Sequence, residues 1–176
     1  MLKMDLAERI QHYAQSFGVT LGSNLGSGHH GNVFVARSNT NQARFAVKFC
    51  RDEPPYVREC RAYRILKERR VFDIEGFSIP QFLGSDDEFL AIQMSIVEPP
   101  FLLDFGSAYS RESLPEFSES IWAEWREQKQ QEFEERWPLV ENALMVLRSF
   151  DIFMLDIHAR NIVFPRPTMI HWSRPR

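Results

Sequence analysis

Apolar residues recur along the chain with a spacing that changes from segment to segment. In residues 5–17 they recur about every 3.6 positions, which predicts an amphipathic helix. Between residues 19 and 49 the period shortens to two, in runs separated by Gly, Ser or Asn clusters, and this predicts three antiparallel strands. Residues 56–70 return to the helical period, whereas residues 78–83 and 89–97 predict two further strands joined by a polar turn.

After residue 100 the pattern is mainly helical. Residues 118–137 combine many Glu, Gln, Arg and Lys residues with large apolar side chains, and a second helix with a wide apolar stripe is predicted to begin at Pro138. Residues 152–172 return to short apolar runs, which predict a small hairpin. The whole pattern predicts an α+β fold, with a five-stranded antiparallel sheet and one helix in a first lobe and a reduced, mainly helical second lobe. The N-terminal helix, the first lobe and the second lobe are predicted in residues 1–18, 19–97 and 98–176.

The composition is that of one globular domain. The chain has 176 residues, of which 44% are hydrophobic, enough for one sizeable core. A formal net charge of -3 gives no general attraction for nucleic acid or anionic lipid, so we expect neither as a partner. No run approaches the roughly 20 apolar residues that span a bilayer. The two cysteines, Cys50 and Cys60, and the charges that interrupt the first 19 residues favour a cytoplasmic protein.

Residues 26–31 form a glycine-rich loop of the pattern G-x-G-x-x-G. A dinucleotide-binding fold requires a helix directly after these glycines, but residues 32–36 predict a strand. A phosphate-binding loop of the G-x-x-x-x-G-K-[ST] type requires Lys and then Ser or Thr at the positions of Asn32 and Val33. Two interpretations remain: a plain glycine-rich hairpin, or a hairpin whose backbone covers phosphate groups through Gly26, Gly28 and Gly31.

Lys48 lies on the next predicted strand, in the sequence F-A-V-K. Alternation along a strand places Ala46 and Lys48 on the same face, where a small side chain leaves room for a planar base and the ammonium group can reach phosphates. A buried lysine requires a carboxylate partner to keep its charge. Glu59, nearer the middle of the first half of the next helix, is favoured for this role over Glu68.

Residues 156–161 have the sequence D-I-H-A-R-N and lie between a predicted helix and a short apolar strand. Their Asp-to-Asn spacing matches the pattern D-x-x-x-x-N. In such a loop the aspartate accepts or orients the proton of an attacking hydroxyl, and the asparagine carbonyl binds a divalent metal. Asp156 and Asn161 are the candidates for these two roles.

The order of these motifs along the chain resembles the protein-kinase-like fold over residues 19–172. The position of His158 is similar to the D-x-H-x-x-N of aminoglycoside, choline and other atypical kinases, whereas A-R-N is similar to tyrosine-kinase loops. The resemblance implies an ATP-type nucleotide between two lobes. It also implies that residues 95–97 lie near the hinge and that Val33 and Ala46 contact the base.

Three departures from the kinase pattern bear on activity. The D-F-G sequence at residues 104–106 precedes the candidate catalytic loop and is interpreted as fortuitous. His171 stands in I-H-W-S where atypical kinases have I-D-W-S, and an imidazole there is expected to weaken Mg²⁺ binding more than Mn²⁺ binding. His158 and His171 also fit hydrogen-bonded structural histidines or, with Asp156, a zinc site without a fourth ligand. The chain stops at Arg176, before the peptide-docking lobe of a full kinase.

Three functional hypotheses follow. The first is an ATP-dependent phosphotransferase that uses Mg²⁺ or Mn²⁺, with Lys48 and Asp156 as catalytic residues. The second is a pseudokinase that acts as a nucleotide-sensing or nucleotide-independent binding module. The third, ranked lower, is transfer of the nucleotidyl group. Independently, the aromatic residues of the 118–137 helix predict either a solvated helix with a buried aromatic side or a surface for a protein partner or homodimer.

Overall fold

The computed structural model describes residues 4–102, 105–159 and 162–164. Its helices and strands are, in chain order, α1 (Leu6–Ser16), β1 (Val19–Gly28), β2 (Gly31–Ser38), β3 (Arg44–Cys50), α2 (Glu53–Glu68), β4 (Asp73–Ile74), β5 (Phe77–Ser78), β6 (Phe82–Asp86), β7 (Ala91–Met94), β8 (Phe101–Leu102), β9 (Ala108–Tyr109), α3 (Glu119–Phe133), α4 (Trp137–Ser149), β10 (Phe153–Met154) and β11 (Ile162–Val163). The predicted α+β class is confirmed.

Five strands form an antiparallel sheet in the order β1-β2-β3-β7-β6, as the sequence predicts. Val33 lies opposite Lys48 and Ala46 lies opposite Met94, so these side chains share one face, here called the near face. The alternate residues of β3 point to the far face. Because Ala46 to Cys50 are all buried, this central strand is covered on both sides.

The far face of the sheet is covered by α1. Tyr13 on this helix is buried, and its ring lies edge-on to the rings of Phe49 (5.0 Å) and Phe89 (5.8 Å). Arg9 donates hydrogen bonds to the carbonyl oxygens of Phe89 (3.1 Å) and Arg51 (3.0 Å). The N-terminal helix is therefore part of the packing of the sheet.

The near face is covered by α2. Pro54 and Pro55 fit the first turn of this helix because the N–H groups there have no partner within the helix. The buried side chains follow the helical period and include one carboxylate; they are Tyr56, Glu59, Cys60, Ala62, Tyr63 and Leu66. The helix thus brings Glu59 into an otherwise mostly apolar interface with the sheet.

The bounds of the strand predicted over residues 78–83 are wrong, because the corresponding strand of the sheet, β6, runs from Phe82 to Asp86. β5 ends at Ser78 and β6 begins at Phe82, because Pro80 between them has no N–H for a strand ladder. The turn predicted after residue 83 is also misplaced, since β6 continues to Asp86 and the chain turns at residues 87–90.

The single helix predicted over residues 118–137 is divided. α3 ends at Phe133, where Glu134 takes a φ of 50° that an α-helix does not allow, and α4 begins at Trp137. Most of the aromatic surface of this region is covered by the chain itself. Phe133 and Trp137 are buried, and Trp122 and Trp125 are half-buried. The partner or dimer surface stays a prediction.

A four-stranded sheet in the order β11-β8-β5-β4 crosses the predicted lobe boundary. β11 pairs with β8, while residues 169–170, its predicted hairpin partner, lie outside the described residues. One buried apolar cluster runs continuously from Ala46 through α2 to Leu147 on α4 and Ile162 on β11. In the part of the chain that the structure describes, no helix has the length and apolar character to cross a membrane.

Candidate functional site

A cavity of about 290 Å³ lies against the near face of the sheet, beside the β1–β2 hairpin. Every residue that the sequence analysis nominates for nucleotide contact lines it: Gly26, Gly28, Gly31, Val33, Ala46, Lys48 and Glu59. Further lining comes from Tyr63 on α2, Met94 at the end of β7, residues 95–97 and Phe101 on β8. The structure therefore brings the first-lobe candidates together at one concave site.

The most polar feature of the cavity wall is a buried ion pair. Lys48 Nζ lies 2.6 Å from Glu59 Oε2, and the two side chains are only 7% and 1% exposed. The alternative partner, Glu68, is exposed on the last turn of α2. Removing two charges from water costs several kcal/mol per ion, and their attraction offsets this cost only in good geometry. The pair is thus weak support for stability, and it places one cationic and one anionic group in the wall of the cavity.

The three glycines of the hairpin are constrained differently. Gly31 has a φ of +155°, and a Cβ there would lie 2.1 Å from the carbonyl oxygen of Phe49, so packing alone requires glycine. A Cβ on Gly26 or Gly28 would meet no atom within 4 Å. The fold does not explain these two glycines, whereas a ligand that approaches the backbone closely would.

Apolar side chains also line the cavity. Val33, Ala46 and Met94 contribute to it from the near face of the sheet. The chain then leaves β7 along the cavity at Ser95, whose N–H donates to Gln81 O (2.9 Å) and whose Oγ accepts from Gln81 N (2.8 Å). This anchored segment and the small Ala46 side chain leave room for a flat ligand.

Tyr63 and Phe101 are among the lining residues that were not identified from the sequence. Tyr63 lies one helical turn after Glu59, so the i, i+4 spacing on α2 contained the signal for it. Phe101 follows Pro99-Pro100 on a two-residue strand and carries no local pattern that indicates a site.

Asp156 lies on the loop between β10 and β11, and it is not among the described residues that line the cavity. Its side chain is 60% exposed, and Oδ1 lies 2.8 Å from His158 Nε2. The loop is anchored near the cavity because β11 pairs with β8, where Val163 lies opposite Phe101. Asp156 therefore lies on the loop that precedes β11 and outside the cavity wall.

Helix α3 contacts this loop through Glu132. Its Oε1 accepts a hydrogen bond from Ala159 N (2.9 Å) and lies 3.2 Å from His158 Nδ1, while Oε2 lies 2.8 Å from Lys129 Nζ. Burial raises the pKa of the Glu132 carboxyl, but hydrogen bonds from Lys129 and Ala159 and the charge of Lys129 together outweigh burial and hold this pKa below its usual range. Glu132 is therefore ionised at neutral pH.

The candidate metal ligands Asn161 and His171 lie outside the described residues. Within residues 4–102, 105–159 and 162–164, no group of three or more His, Cys, Asp or Glu side chains is placed to hold a metal ion. The zinc site considered for Asp156, His158 and His171 depends on a residue that the structure does not describe.

The described part of the D-F-G sequence has a packing role. Phe105 is fully buried, and its ring lies edge-on to that of Tyr63 at 5.2 Å. The carbonyl oxygen of Gly106 accepts a hydrogen bond from Arg58 Nε (2.8 Å). Both contacts hold this segment against α2.

Comparisons with protein-family models, with curated proteins and with solved structures find no match to this chain. The functional assignment therefore depends on the residues of the site.

Proposed function

We propose that the cavity binds an ATP-type nucleotide and that the protein is a kinase-like phosphotransferase. The observation that carries this proposal is the buried Lys48–Glu59 ion pair in the wall of a cavity bordered by a glycine-rich hairpin. In a kinase-like site, the lysine binds the α and β phosphates and the helix glutamate orients it. The strand order of the sheet and the position of α2 are consistent with the same interpretation.

The residues of the cavity suit the separate parts of ATP. Val33 and Ala46 offer an apolar surface to the base. Gly26 and Gly28 leave space for phosphate groups to approach the backbone, and the Lys48 ammonium supplies the opposite charge. Asn161 and His171 are the residues that would hold a divalent metal, and the imidazole makes Mn²⁺ a better fit than Mg²⁺.

Asp156 is the proposed base. Its carboxylate accepts the proton of the acceptor hydroxyl as that oxygen bonds to the terminal phosphorus, and ADP leaves with the electron pair of the broken P–O bond. Lys48 offsets the negative charge on the phosphates that leave with ADP.

Thermal denaturation with ATP, alone and with Mg²⁺ or Mn²⁺, tests the nucleotide site. A ligand at about 100 times its Kd stabilises the native state by about 2.7 kcal/mol, which for this chain length raises Tm by roughly 5–10 °C. We expect the double variant Lys48→Met/Glu59→Leu to lose this rise without leaving one buried charge behind. Arg44→Met, an exposed position on the same strand, is the matched control and should keep it. No rise with any metal would contradict nucleotide binding.

A pseudokinase, either nucleotide-sensing or nucleotide-independent, is the second candidate. It is favoured by His171 in place of an aspartate and by the position of Asp156 outside the cavity wall. Mass spectrometry of protein and candidate acceptors after incubation with ATP separates the hypotheses. A phosphate adduct that disappears in Asp156→Asn supports phosphotransfer, and an AMP adduct supports nucleotidyl transfer. An ATP-dependent rise in Tm without any adduct or ADP release supports the sensing module.

A further inference from the structure

The loop that carries Asp156 is connected to α3 by a chain of polar contacts. Lys129 Nζ lies 2.8 Å from Glu132 Oε2, Glu132 Oε1 lies 3.2 Å from His158 Nδ1, and His158 Nε2 lies 2.8 Å from Asp156 Oδ1. A hydrogen bond from Ala159 N to Glu132 Oε1 (2.9 Å) ties the backbone of the loop to the same carboxylate. The two contacts between α3 and the loop join groups that lie 26 and 27 residues apart in sequence, so local chain geometry does not account for these two.

These contacts become more exposed toward Asp156. The Lys129 side chain is 8% exposed, those of Glu132 and His158 are about one-third exposed, and that of Asp156 is 60% exposed. A solvated ion pair three residues apart on a helix adds little to its stability, and a buried lysine is costly to desolvate. The Lys129–Glu132 contact therefore adds little to the stability of the fold. The exposed residue at the other end of these contacts, Asp156, is the candidate base.

Ring geometry explains how the chain of contacts acts on Asp156. The two ring nitrogens of an imidazole point in different directions, so a contact on Nδ1 fixes the direction of Nε2. Glu132 Oε1 and Lys129 Nζ (3.4 Å) both lie at His158 Nδ1. With the ring fixed there, Nε2 lies 2.8 Å from Oδ1 of Asp156, and the second carboxylate oxygen is left for the acceptor hydroxyl.

We propose that Glu132 on α3, supported by Lys129, is a positioning residue that orients the Asp156 carboxylate through His158. This inference rests on the proposed phosphotransfer, in which Asp156 is the base. Glu132 does not contact the nucleotide cavity, so its contribution acts on the chemical step and leaves nucleotide affinity unchanged.

Steady-state kinetics test the proposal with Glu132→Ala, Glu132→Gln and Glu127→Ala. We expect Glu132→Ala to lower kcat by about 100-fold with an unchanged KM for ATP, the size of effect that a misplacement of about 1 Å produces. Glu132→Gln keeps a carbonyl oxygen that can accept from Ala159 N beside the His158 ring, so it should retain more turnover than the alanine variant. Glu127, exposed on the same helix, is the matched control and should behave as wild type.

A spectroscopic measurement keeps the inference separate from the proposed function. The ¹⁵N and ¹H resonances of the His158 ring report its hydrogen bonds whether or not the protein has turnover. We expect them to shift both in Asp156→Asn and in Glu132→Ala, and to stay unchanged in Glu127→Ala. Ring resonances that do not respond to Glu132→Ala would overturn the positioning role. So would a fall in kcat that is matched by a fall in Tm and is not relieved by glutamine. Absence of turnover with responsive ring resonances would instead contradict the phosphotransferase proposal and leave the orientation of Asp156 by Glu132 supported.

Discussion

At the scale of single residues, alanine substitutions distinguish glycines that the fold needs from those that a ligand needs. Gly31→Ala is expected to lower the free energy of unfolding by about 1–3 kcal/mol or more, because the added Cβ collides with Phe49 O and the backbone is strained. Gly28→Ala should leave stability nearly unchanged and weaken ATP binding. Urea denaturation measures the first effect and a nucleotide titration the second. Equal losses of stability in both variants would contradict this division.

The Lys48–Glu59 pair allows a second residue-scale prediction. Lys48→Met alone is expected to cost about 3–5 kcal/mol, because it leaves the Glu59 carboxylate buried without its cation, and Glu59→Leu should cost a similar amount. The double variant should recover most of this loss, since two apolar side chains replace two desolvated charges. Urea denaturation of the four proteins gives the coupling free energy. A double variant as unstable as the sum of the single variants would show that the residues do not act as a pair.

At the scale of elements, α2 is held by two different surfaces. The near face of the sheet contacts one side of the helix, and the segment around Phe105 contacts it through the Tyr63 ring and Arg58. Phe105→Ala is expected to cost about 3–5 kcal/mol through the cavity that it creates, and to weaken ATP binding because α2 carries Glu59. Phe72→Ala, at a position 63% exposed, is the control and should change neither quantity much. Unfolding experiments and nucleotide titrations on both variants measure these two effects. An unchanged ATP affinity in a folded Phe105→Ala protein would show that the segment around Phe105 does not support the nucleotide site.

Elements with a strong local pattern were predictable from the sequence, and elements set by distant contacts were not. Alternation identified β3, and the helical period identified α2. Together they predict the Lys48–Glu59 pair, whose partners are close in sequence. The start of α4 was predicted to within one residue, but the end of α3 at Phe133 depends on the backbone conformation of one residue, Glu134, in a segment whose composition favours a helix throughout.

The part of the site that the sequence did not predict depends on long-range placement. Glu132 is one of many acids on a charged helix, and only the fold shows that it meets Ala159 and His158. Phe101 reaches the cavity because β8 is inserted between β5 and β11. Neither placement has a local signature, because the contacts come from segments that the chain brings together only on folding.

At the scale of the whole molecule, the continuous apolar cluster predicts one cooperative unfolding transition. The same cluster contains Ala46 from the sheet and Leu147 from α4, so the two predicted lobes cannot separate without exposing buried surface of both. All four tryptophans lie after residue 121, so their fluorescence reports on the second lobe, whereas far-ultraviolet circular dichroism reports on both. We expect the two signals to give one urea midpoint that does not change with protein concentration.

A lower urea midpoint by fluorescence than by circular dichroism would show that the lobes unfold independently. A midpoint that rises with concentration would instead support the homodimer predicted through α3, because association stabilises only the folded chain.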